Sequence, residues 1–296
     1  MFKQKSRVAG LLVVLLLVPF WAQTGADQAR APTQGLLWEI RAGNAAPSYL
    51  LGTMHSDDPR LLELPAQLER VLQSASSFTM EVIIDPLAMT ELGQHMLLPP
   101  QESLADMLDA RTWQRLVSAM RQRQVPEARL RRLRPWAVAM VLSMPQQFSG
   151  LALDLYLQQY AARLGKKLYG LESIEEQVAV FEGLSKAEQV QLLQTTLLQL
   201  PELPALIEAL TAAYLAGDLA AMQALTDAQL AIGDAQFNRR FIRRLIDERN
   251  VKMLRRMQPR LREGGALIAV GAMHLPGERG LLRLLRDQGY ELGAIY

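Results

Sequence analysis

The same short pattern occurs near both ends of the chain, and it constrains the fold more than any other sequence feature. One copy covers residues 49–55 and ends at His55, and the other covers residues 267–274 and ends at His274. Each copy reads as an apolar strand, the letters Gly-x-Met-His, a polar turn with proline, an amphipathic helix and another strand. Two such matches predict a duplicated structural half, so we expect two pseudo-symmetric halves around one sheet.

The remaining patterns predict a mixed α/β (α+β) fold with a central mixed sheet and large helical insertions. Short apolar or β-branched runs predict strands, whereas the helical period and interruptions by proline and glycine predict helices. The helical insertions cover about residues 87–164 and 178–262. The predicted strands are residues 36–41, 48–51, 77–84, 167–171, 266–270 and 290–295, and the helices that flank them are residues 61–72 and 281–288.

The start of the chain has the three parts of a secretory signal peptide. Three basic residues among the first seven precede an apolar run over residues 11–20, and small residues follow at positions 24–26. The run is too short for a comfortable membrane span, which needs about 20 apolar residues. We therefore expect a leader over residues 1–26, a single domain over residues 27–296 and export to the periplasm or the medium.

Composition excludes several classes of protein and of site. The chain has no cysteine, which excludes disulfides, thiolate metal sites and cysteine nucleophiles. The leader holds three of the 32 basic residues and none of the 30 acidic residues, so the remainder has a formal charge of −1. That charge gives no sign of nucleic-acid binding. After the leader, no apolar run is long enough to span a membrane, and only three histidines are available for imidazole chemistry.

His55 and His274 are the first candidates for a functional site. Each follows a glycine at the end of a predicted strand, and open α/β sheets bind ligands at the carboxyl edge of their strands. The two imidazoles would face one another across a shared cleft, where they could bind a metal ion. For a single histidine, a hydrogen bond to a loop is the more common role, but the paired pattern favours ligands.

Two glutamates are placed to reach the same cleft. Glu81 lies among strand-forming residues, where a buried carboxylate needs a cation, a metal or several donors. Glu172 follows the strand over residues 167–171, at the point where a helix begins. The alternatives are a solvent-facing strand residue for Glu81 and a helix N-terminal carboxylate for Glu172. Asp154, at the start of an amphipathic stretch, is predicted to cap a helix or to support a ligand.

A basic segment over residues 238–262 contains one arginine on its apolar side. Arg249 falls between Ile246 and Met253, whereas most other arginines of the segment form the solvated face of an amphipathic helix. An arginine in an apolar stripe needs an acidic partner or an anionic ligand. Arg249 and the neighbouring Asn250 are therefore candidates for orienting carboxylates or polarising a substrate carbonyl.

In their order along the chain, these motifs resemble the TraB/GumN family, which is related to the Tiki metalloproteases. The resemblance runs from about residue 34 to the C-terminus. The matching segments are GTMH (52–55), a strand glutamate, GLESIEEQ (170–177), ERN (248–250) and VGAMHLPGERG (270–280). The resemblance implies the fold of the superfamily of erythromycin esterase (EreA) and the haem-binding ChaN proteins, with one site between two halves. Arg249 and Asn250 match the family's ERN motif.

The resemblance also implies a set of site residues and a metal. His55, His274 and Glu172 match the family's functional positions, and Glu81 accompanies them. We expect these residues to bind a divalent metal, with Glu81 as a further ligand or as a general base. Relatives suggest manganese or cobalt, and the ligand types equally allow zinc.

The predicted reaction is hydrolysis of a peptide bond, or of a small amide or ester, by a metal-activated water. The predicted catalytic residues are Glu81, Glu172, Arg249 and Asn250. One alternative is a periplasmic protein that binds haem or metal through the same histidines without catalysis. Another is an accessory factor in polysaccharide export. The sequence lacks a Gly-x-Ser-x-Gly elbow, a His-Glu-x-x-His helix, a P-loop and a Rossmann fingerprint.

Overall fold

The computed structural model describes residues 34–41, 43–146, 150–230 and 232–296. The predicted leader over residues 1–26 lies outside this part. The strands of the described residues are β1 (Leu37–Arg41), β2 (Ser48–Thr53), β3 (Ser77–Met80), β4 (Lys167–Gly170), β5 (Ala266–Gly271) and β6 (Glu291–Ala294). The α-helices are α1 (Pro59–Leu62), α2 (Ala66–Ser74), α3 (Pro86–His95), α4 (Ala110–Gln122), α5 (Glu127–Leu130), α6 (Pro135–Ser143), α7 (Leu153–Arg163), α8 (Ile174–Glu182), α9 (Lys186–Gln199), α10 (Leu203–Leu215), α11 (Leu219–Leu230), α12 (Ala235–Ile242), α13 (Glu248–Glu263) and α14 (Leu281–Asp287). Short 3₁₀ helices cover Leu104–Met107 and Ala272–His274, and a π-helical turn covers Arg243–Asp247.

The strands form one mixed sheet in the order β4-β3-β5-β2-β1-β6. The four neighbours β4, β3, β5 and β2 pair in parallel. β1 pairs antiparallel with both β2 and β6, so β6 runs in the same direction as the four parallel strands. This arrangement confirms the predicted mixed α/β fold with a central mixed sheet. The likeness to EreA and ChaN proteins stays a prediction.

The two copies of the Gly-x-Met-His pattern contribute the two central strands, β2 and β5. Gly52 pairs with Val270 and Thr53 with Gly271, so the glycines of the two copies are staggered by one residue. Each copy continues through helical structure into a strand of the same direction, through α1 and α2 into β3 in the first copy and through α14 into β6 in the second. The copies differ in where that strand lies, because β3 pairs with β5 whereas β6 lies beyond β1 at the opposite edge.

Burial explains the sequences of the strands. Every residue of β5 (ALIAVG) is buried, and so are Leu50 and Leu51 in β2. A strand that is covered on both faces needs a continuous apolar run instead of an alternating one. The edge strands β4 (KLYG) and β6 (ELGA) are largely accessible, and their sequences are correspondingly more polar.

The chain divides into two compact units. The first, which we call the sheet unit, comprises residues 34–84, 152–173 and 208–296 and contains the whole sheet. The second, which we call the helical unit, comprises residues 85–151 and 174–207. Its helices, together with α7 and α11–α13, confirm the two large helical insertions that the sequence predicts.

The helical unit is built around the apolar helix α6. Seven of the nine residues of α6 are buried, and Trp136 stacks on Phe181 of α8 with ring centroids 5.2 Å apart. A helix that is apolar on all sides must be covered on all sides, and α9 packs against α6 over much of its length. The helical unit therefore has a hydrophobic core of its own.

Two elements differ from their predicted bounds by more than two residues. The helix predicted over residues 61–72 is two helices, α1 and α2, because Pro65 stands between them and α2 begins directly after it. The strand predicted over residues 77–84 ends four residues early. It ends there because Ile84 leaves the sheet, and both polar groups of its backbone bind the Gln158 side-chain amide instead.

Candidate functional site

The four parallel strands bring four predicted site residues to one edge of the sheet. Glu172 follows β4, Glu81 follows β3, His274 follows β5 and His55 follows β2. Since the carboxyl ends of parallel strands lie at the same edge, residues that are far apart in sequence meet there. All four belong to the sheet unit. Both histidines lie where the sequence places them, just beyond the ends of their strands.

His55 is held by a carboxylate that lies 99 residues away in the sequence. Its Nδ1 is 2.6 Å from Oδ2 of Asp154 in α7, and the other carboxylate oxygen accepts a hydrogen bond from Thr53 Oγ1 at 2.7 Å. A carboxylate has only acceptors, so Nδ1 of His55 donates and its Nε2 is left for a ligand. The side chains of His55 and Asp154 are partly accessible, at 13% and 12%.

His274 is held by an amide and is enclosed. Its Nδ1 is 2.6 Å from Asn250 Oδ1, while Asn250 Nδ2 donates to the carbonyls of His274 at 3.3 Å and Arg279 at 2.8 Å. These two carbonyls fix the orientation of the amide, because only its NH₂ group can donate to them. Asn250 Oδ1 therefore accepts from His274 Nδ1, and His274 Nε2 carries a lone pair and no proton.

Arg249 lies between the two glutamates and is buried with them. Its Nη2 is 2.5 Å from Glu81 Oε2 and 2.7 Å from Glu172 Oε2, and its Nε lies 3.1 Å and 3.0 Å from the two Glu172 oxygens. The Gly271 N–H donates to the remaining Glu81 oxygen at 2.6 Å. The prediction that an arginine in the apolar stripe meets acidic partners is therefore confirmed.

A π-helical turn directs Arg249 toward these carboxylates. The turn Arg243–Asp247 directly precedes α13, and the Leu245 carbonyl accepts a hydrogen bond from Arg249 Nη1 at 3.1 Å. In a regular α-helix a carbonyl accepts a hydrogen bond from a backbone N–H. The Leu245 carbonyl accepts one from the guanidinium of Arg249. Such turns are rare and are frequent at functional sites.

Burial and the local charges shift the pKa values of the site's groups in different directions. Burial by itself would raise the pKa of Glu81, but Arg249 and the nearby imidazoles lower it to about 2. Burial lowers the pKa of His274 to about 3, and Arg249 and His55 act in the same direction against the attraction of Glu81. Burial also opposes the imidazolium form of His55, yet Asp154 outweighs it and raises the pKa of His55. At neutral pH, Glu81 is a carboxylate and His274 a neutral imidazole.

Two acceptor atoms face each other at the centre of the site. His274 Nε2 is 3.6 Å from Glu81 Oε1, and neither atom has a proton to share. Two atoms bound to one ion at about 2.1 Å with a tetrahedral angle lie about 3.4 Å apart, so the observed distance suits a shared ion. Two imidazoles held at Nδ1 and one carboxylate are also a donor set that suits first-row divalent metals. The residues present therefore fit a metal ion, although in the described part of the chain no three histidine, aspartate or glutamate side chains converge as a complete metal site.

The predicted site residues form two connected groups in the sheet unit. The first group consists of His55 and Asp154. In the second group Arg249 binds both glutamates; its members are Glu81, Glu172, Arg249, Asn250 and His274. Sequence reasoning missed Thr53 and the Gly271 N–H, and it left the partner of Asp154 undefined. Thr53 could have been found, because a polar residue directly after the motif's glycine sits at a strand end that the pattern predicts to be buried.

Most of the chain matches one known family. The family model described as "TraB/PrgY/gumN family" matches residues 36–293. The chain belongs to the TraB/PrgY/gumN family. This TraB/PrgY/gumN protein is 29% identical to "Metalloprotease TIKI2" of Danio rerio over 86% of its length and 60% of the relative's. It is 28% identical to "Metalloprotease TIKI1" of Homo sapiens over 86% of its length and 61% of the relative's.

A more distant relative also matches the chain. "Metalloprotease TIKI homolog" of Amphimedon queenslandica is 24% identical over 96% of the chain and 66% of its own length. The chain thus spans about three fifths of the length of the vertebrate relatives it matches. No solved structure matches it significantly.

Proposed function

We propose that this TraB/PrgY/gumN protein is a metal-dependent hydrolase that cleaves peptide bonds. The ion would be held by the Nε2 atoms of His55 and His274 and by the carboxylate of Glu81. The relatives named as metalloproteases support the reaction class. The donor set at the carboxyl edge of the sheet supports the ion.

The observation on which the proposal mainly depends is the approach of His274 Nε2 to Glu81 Oε1. A lone pair on a neutral imidazole and a carboxylate oxygen that lie 3.6 Å apart repel each other, and a cation between them would turn this repulsion into attraction. Arg249 Nη2 donates to the other oxygen of Glu81, so its hydrogen bond does not bridge this pair. A divalent ion would bind both atoms at once.

Glu81 is better suited to the role of ligand than to that of general base. Arg249 and the Gly271 N–H donate to its two oxygens and stabilise the charged form. A stabilised carboxylate accepts a proton poorly, and a metal ligand has to be deprotonated. Glu172 stays a predicted ligand, and it would have to share its oxygens between the ion and Arg249.

An ion at this position would polarise a substrate carbonyl and acidify a bound water. The chain's own residues prepare the site for it. Asp154 and Asn250 hold the Nδ1 protons of the two histidines, so in the neutral form of each ring Nε2 presents a lone pair. Arg249 compensates the charge of the two buried glutamates, which would otherwise repel each other.

Metal analysis of the purified protein, followed by a peptide-library cleavage screen with Mn²⁺, Co²⁺ and Zn²⁺, tests the proposal. We expect a tightly bound ion and metal-dependent cleavage, both lost in His55→Ala and His274→Ala. His95→Ala is the matched control, because His95 belongs to the helical unit and contacts Glu182 instead of the site. The proposal is wrong if the wild type binds none of these metals tightly and the two site variants change neither metal content nor cleavage. Small amides and esters belong in the same screen, since their hydrolysis needs the same groups.

Haem capture has less support than hydrolysis. The Nε2 atom that would bind haem iron in His274 already faces Glu81 at 3.6 Å. A Soret band that appears with added haem and disappears in His55→Ala would favour it nonetheless. An accessory role in polysaccharide export stays a prediction.

Export is proposed from the leader pattern, which lies outside the described residues. Within the described residues, no helix is both long and apolar enough to cross a membrane. Processing of a tagged protein in a bacterial envelope fraction would test export, since cleavage near residue 26 shortens the chain by a measurable mass.

A further inference from the structure

We infer that Asp154 is the positioning residue that makes His55 a metal ligand, and that its negative charge strengthens this ligand. The inference rests on the proposed metal site. It adds a carboxylate that touches neither the ion nor the substrate and acts through the imidazole of His55 alone.

Both oxygens of Asp154 are committed. Oδ2 lies 2.6 Å from His55 Nδ1, and Oδ1 accepts from Thr53 Oγ1 at 2.7 Å. Thr53 is the last residue of β2 and is completely buried, so it holds the carboxylate against the strand from which His55 extends. The strand and the helix α7 are thereby joined through the side chain that fixes the imidazole.

This geometry determines which nitrogen of His55 can bind an ion. Because the carboxylate has only acceptors, the proton of the neutral imidazole stays on Nδ1 and the lone pair stays on Nε2. Without Asp154, either nitrogen could hold the proton and the ring could rotate. Loss of such a supporting contact typically lowers metal affinity 10–100-fold.

The charge of Asp154 distinguishes it from the support of the other histidine. His274 Nδ1 donates to the neutral amide of Asn250, which also binds two backbone carbonyls. A carboxylate attracts the Nδ1 proton more strongly than an amide does, and this raises the basicity of the opposite nitrogen. We therefore expect His55 to be the stronger nitrogen ligand of the two.

Mn²⁺ binding by the full chain, measured by equilibrium dialysis, is the test. Asp154→Asn keeps the shape of the side chain and one acceptor for Nδ1 but removes the charge, and we expect it to weaken Mn²⁺ binding 10–100-fold. Asp218→Asn is the matched control, because Asp218 is a half-buried carboxylate of the same unit whose side chain caps helix α11. Its affinity should stay within about twofold of the wild type. Thr53→Val leaves Asp154 charged but less constrained, so its Mn²⁺ affinity should lie between those of Asp154→Asn and Asp218→Asn.

The tautomer of His55 gives a second readout that needs no metal. In long-range ¹H–¹⁵N spectra of the metal-free protein at pH 8, His55 should be protonated at Nδ1, and Asp154→Asn should increase the other tautomer. Unchanged Mn²⁺ affinity in Asp154→Asn, or a neutral His55 whose single proton lies on Nε2 in the wild type, would overturn the inference. If the wild type binds none of Mn²⁺, Co²⁺ and Zn²⁺, the proposed function fails instead, and the tautomer alone decides whether Asp154 positions His55.

Discussion

The two Gly-x-Met-His segments have the same letters but different surroundings. The first, residues 52–55, ends in a histidine that is partly accessible and held by a carboxylate. The second, residues 271–274, ends in a histidine that is 1% exposed and held by an amide. Around the second histidine lie Arg249 and two buried glutamates, which are joined by a dense set of charged hydrogen bonds.

Because of this difference, we expect substitutions around the second histidine to reduce mainly stability and substitutions around the first to reduce mainly ligand binding. Groups near the second segment are buried and interlocked, so removing one of them leaves charges or polar atoms without partners in a medium of low dielectric constant. His55 and Asp154 at the first segment are partly accessible, so we expect their removal to cost less stability and mainly to weaken ligand binding. We call the surroundings of His274 the enclosed half-site and those of His55 the accessible half-site.

Removal of the Arg249 guanidinium should have the largest effect on folding. In Arg249→Met, Glu81 and Glu172 lose the cation that both of them bind. Breaking a buried ion pair in this way typically costs about 3–5 kcal/mol. Urea unfolding measures the loss, with Arg255→Met on the exposed side of the same helix as the control, expected to change by less than about 0.5 kcal/mol. A loss below about 1 kcal/mol in Arg249→Met would mean that the enclosed half-site is not held by this arginine.

Asn250→Ala should be the next most costly change. It removes the acceptor for His274 Nδ1 and the donor for two backbone carbonyls, and we expect a loss of about 2–3 kcal/mol. Asn238→Ala is a close control, since Asn238 is buried in the same unit and also donates to two backbone carbonyls. Both variants should lose stability in thermal melts, but only Asn250→Ala should also lose metal affinity. Equal metal binding by the two variants would show that Asn250 is purely structural.

A smaller effect is expected where the two segments touch. Gly52 lies so close to the second segment that a Cβ atom there would meet Leu275 Cδ1 at 2.8 Å and the Ala272 Cα at 3.0 Å. The leucine methyl can shift but the backbone resists, so Gly52→Ala should cost about 1–2 kcal/mol. Gly293→Ala in β6 is the control, because nothing lies within 4 Å of its Cβ position. Equal unfolding midpoints for the two variants would show that this close approach does not constrain the sheet.

The accessible histidine should contribute least to stability. His55→Gln leaves Asp154 with Thr53 and with some access to water, so the free energy of unfolding should change by less than about 1 kcal/mol. Metal binding should nevertheless be lost. A destabilisation as large as that of Asn250→Ala would remove the distinction between the two half-sites.

The sequence predicts the elements of the sheet well because burial is local information. The continuous apolar run of β5 and the repeated glycines mark the central strands, and the helical period marks Arg249 as an arginine on the buried side. The break at Pro65 was also readable, since proline in a helical pattern ends a helix or begins the next one.

The partners within the site were not readable in the same way. Asp154 meets His55 only because α7 packs near the end of β2, across 99 residues of sequence. The ion pairs of Arg249 with Glu81 and Glu172 depend on β3 and β4 being neighbours in the sheet. The sequences of the two strands do not predict that they are neighbours. Sequence periodicity indicates which side of an element is buried, and only packing decides what it is buried against.

Anomalous diffraction from crystals grown with Mn²⁺ tests the central claim most directly. The claim is that a divalent ion lies between His274 Nε2 and Glu81 Oε1, which are 3.6 Å apart without it. We predict one anomalous peak that the side chains of His274, Glu81 and His55 would hold. A bound Mn²⁺ elsewhere in the sheet unit, or no peak at Mn²⁺ concentrations that support cleavage, would contradict the claim.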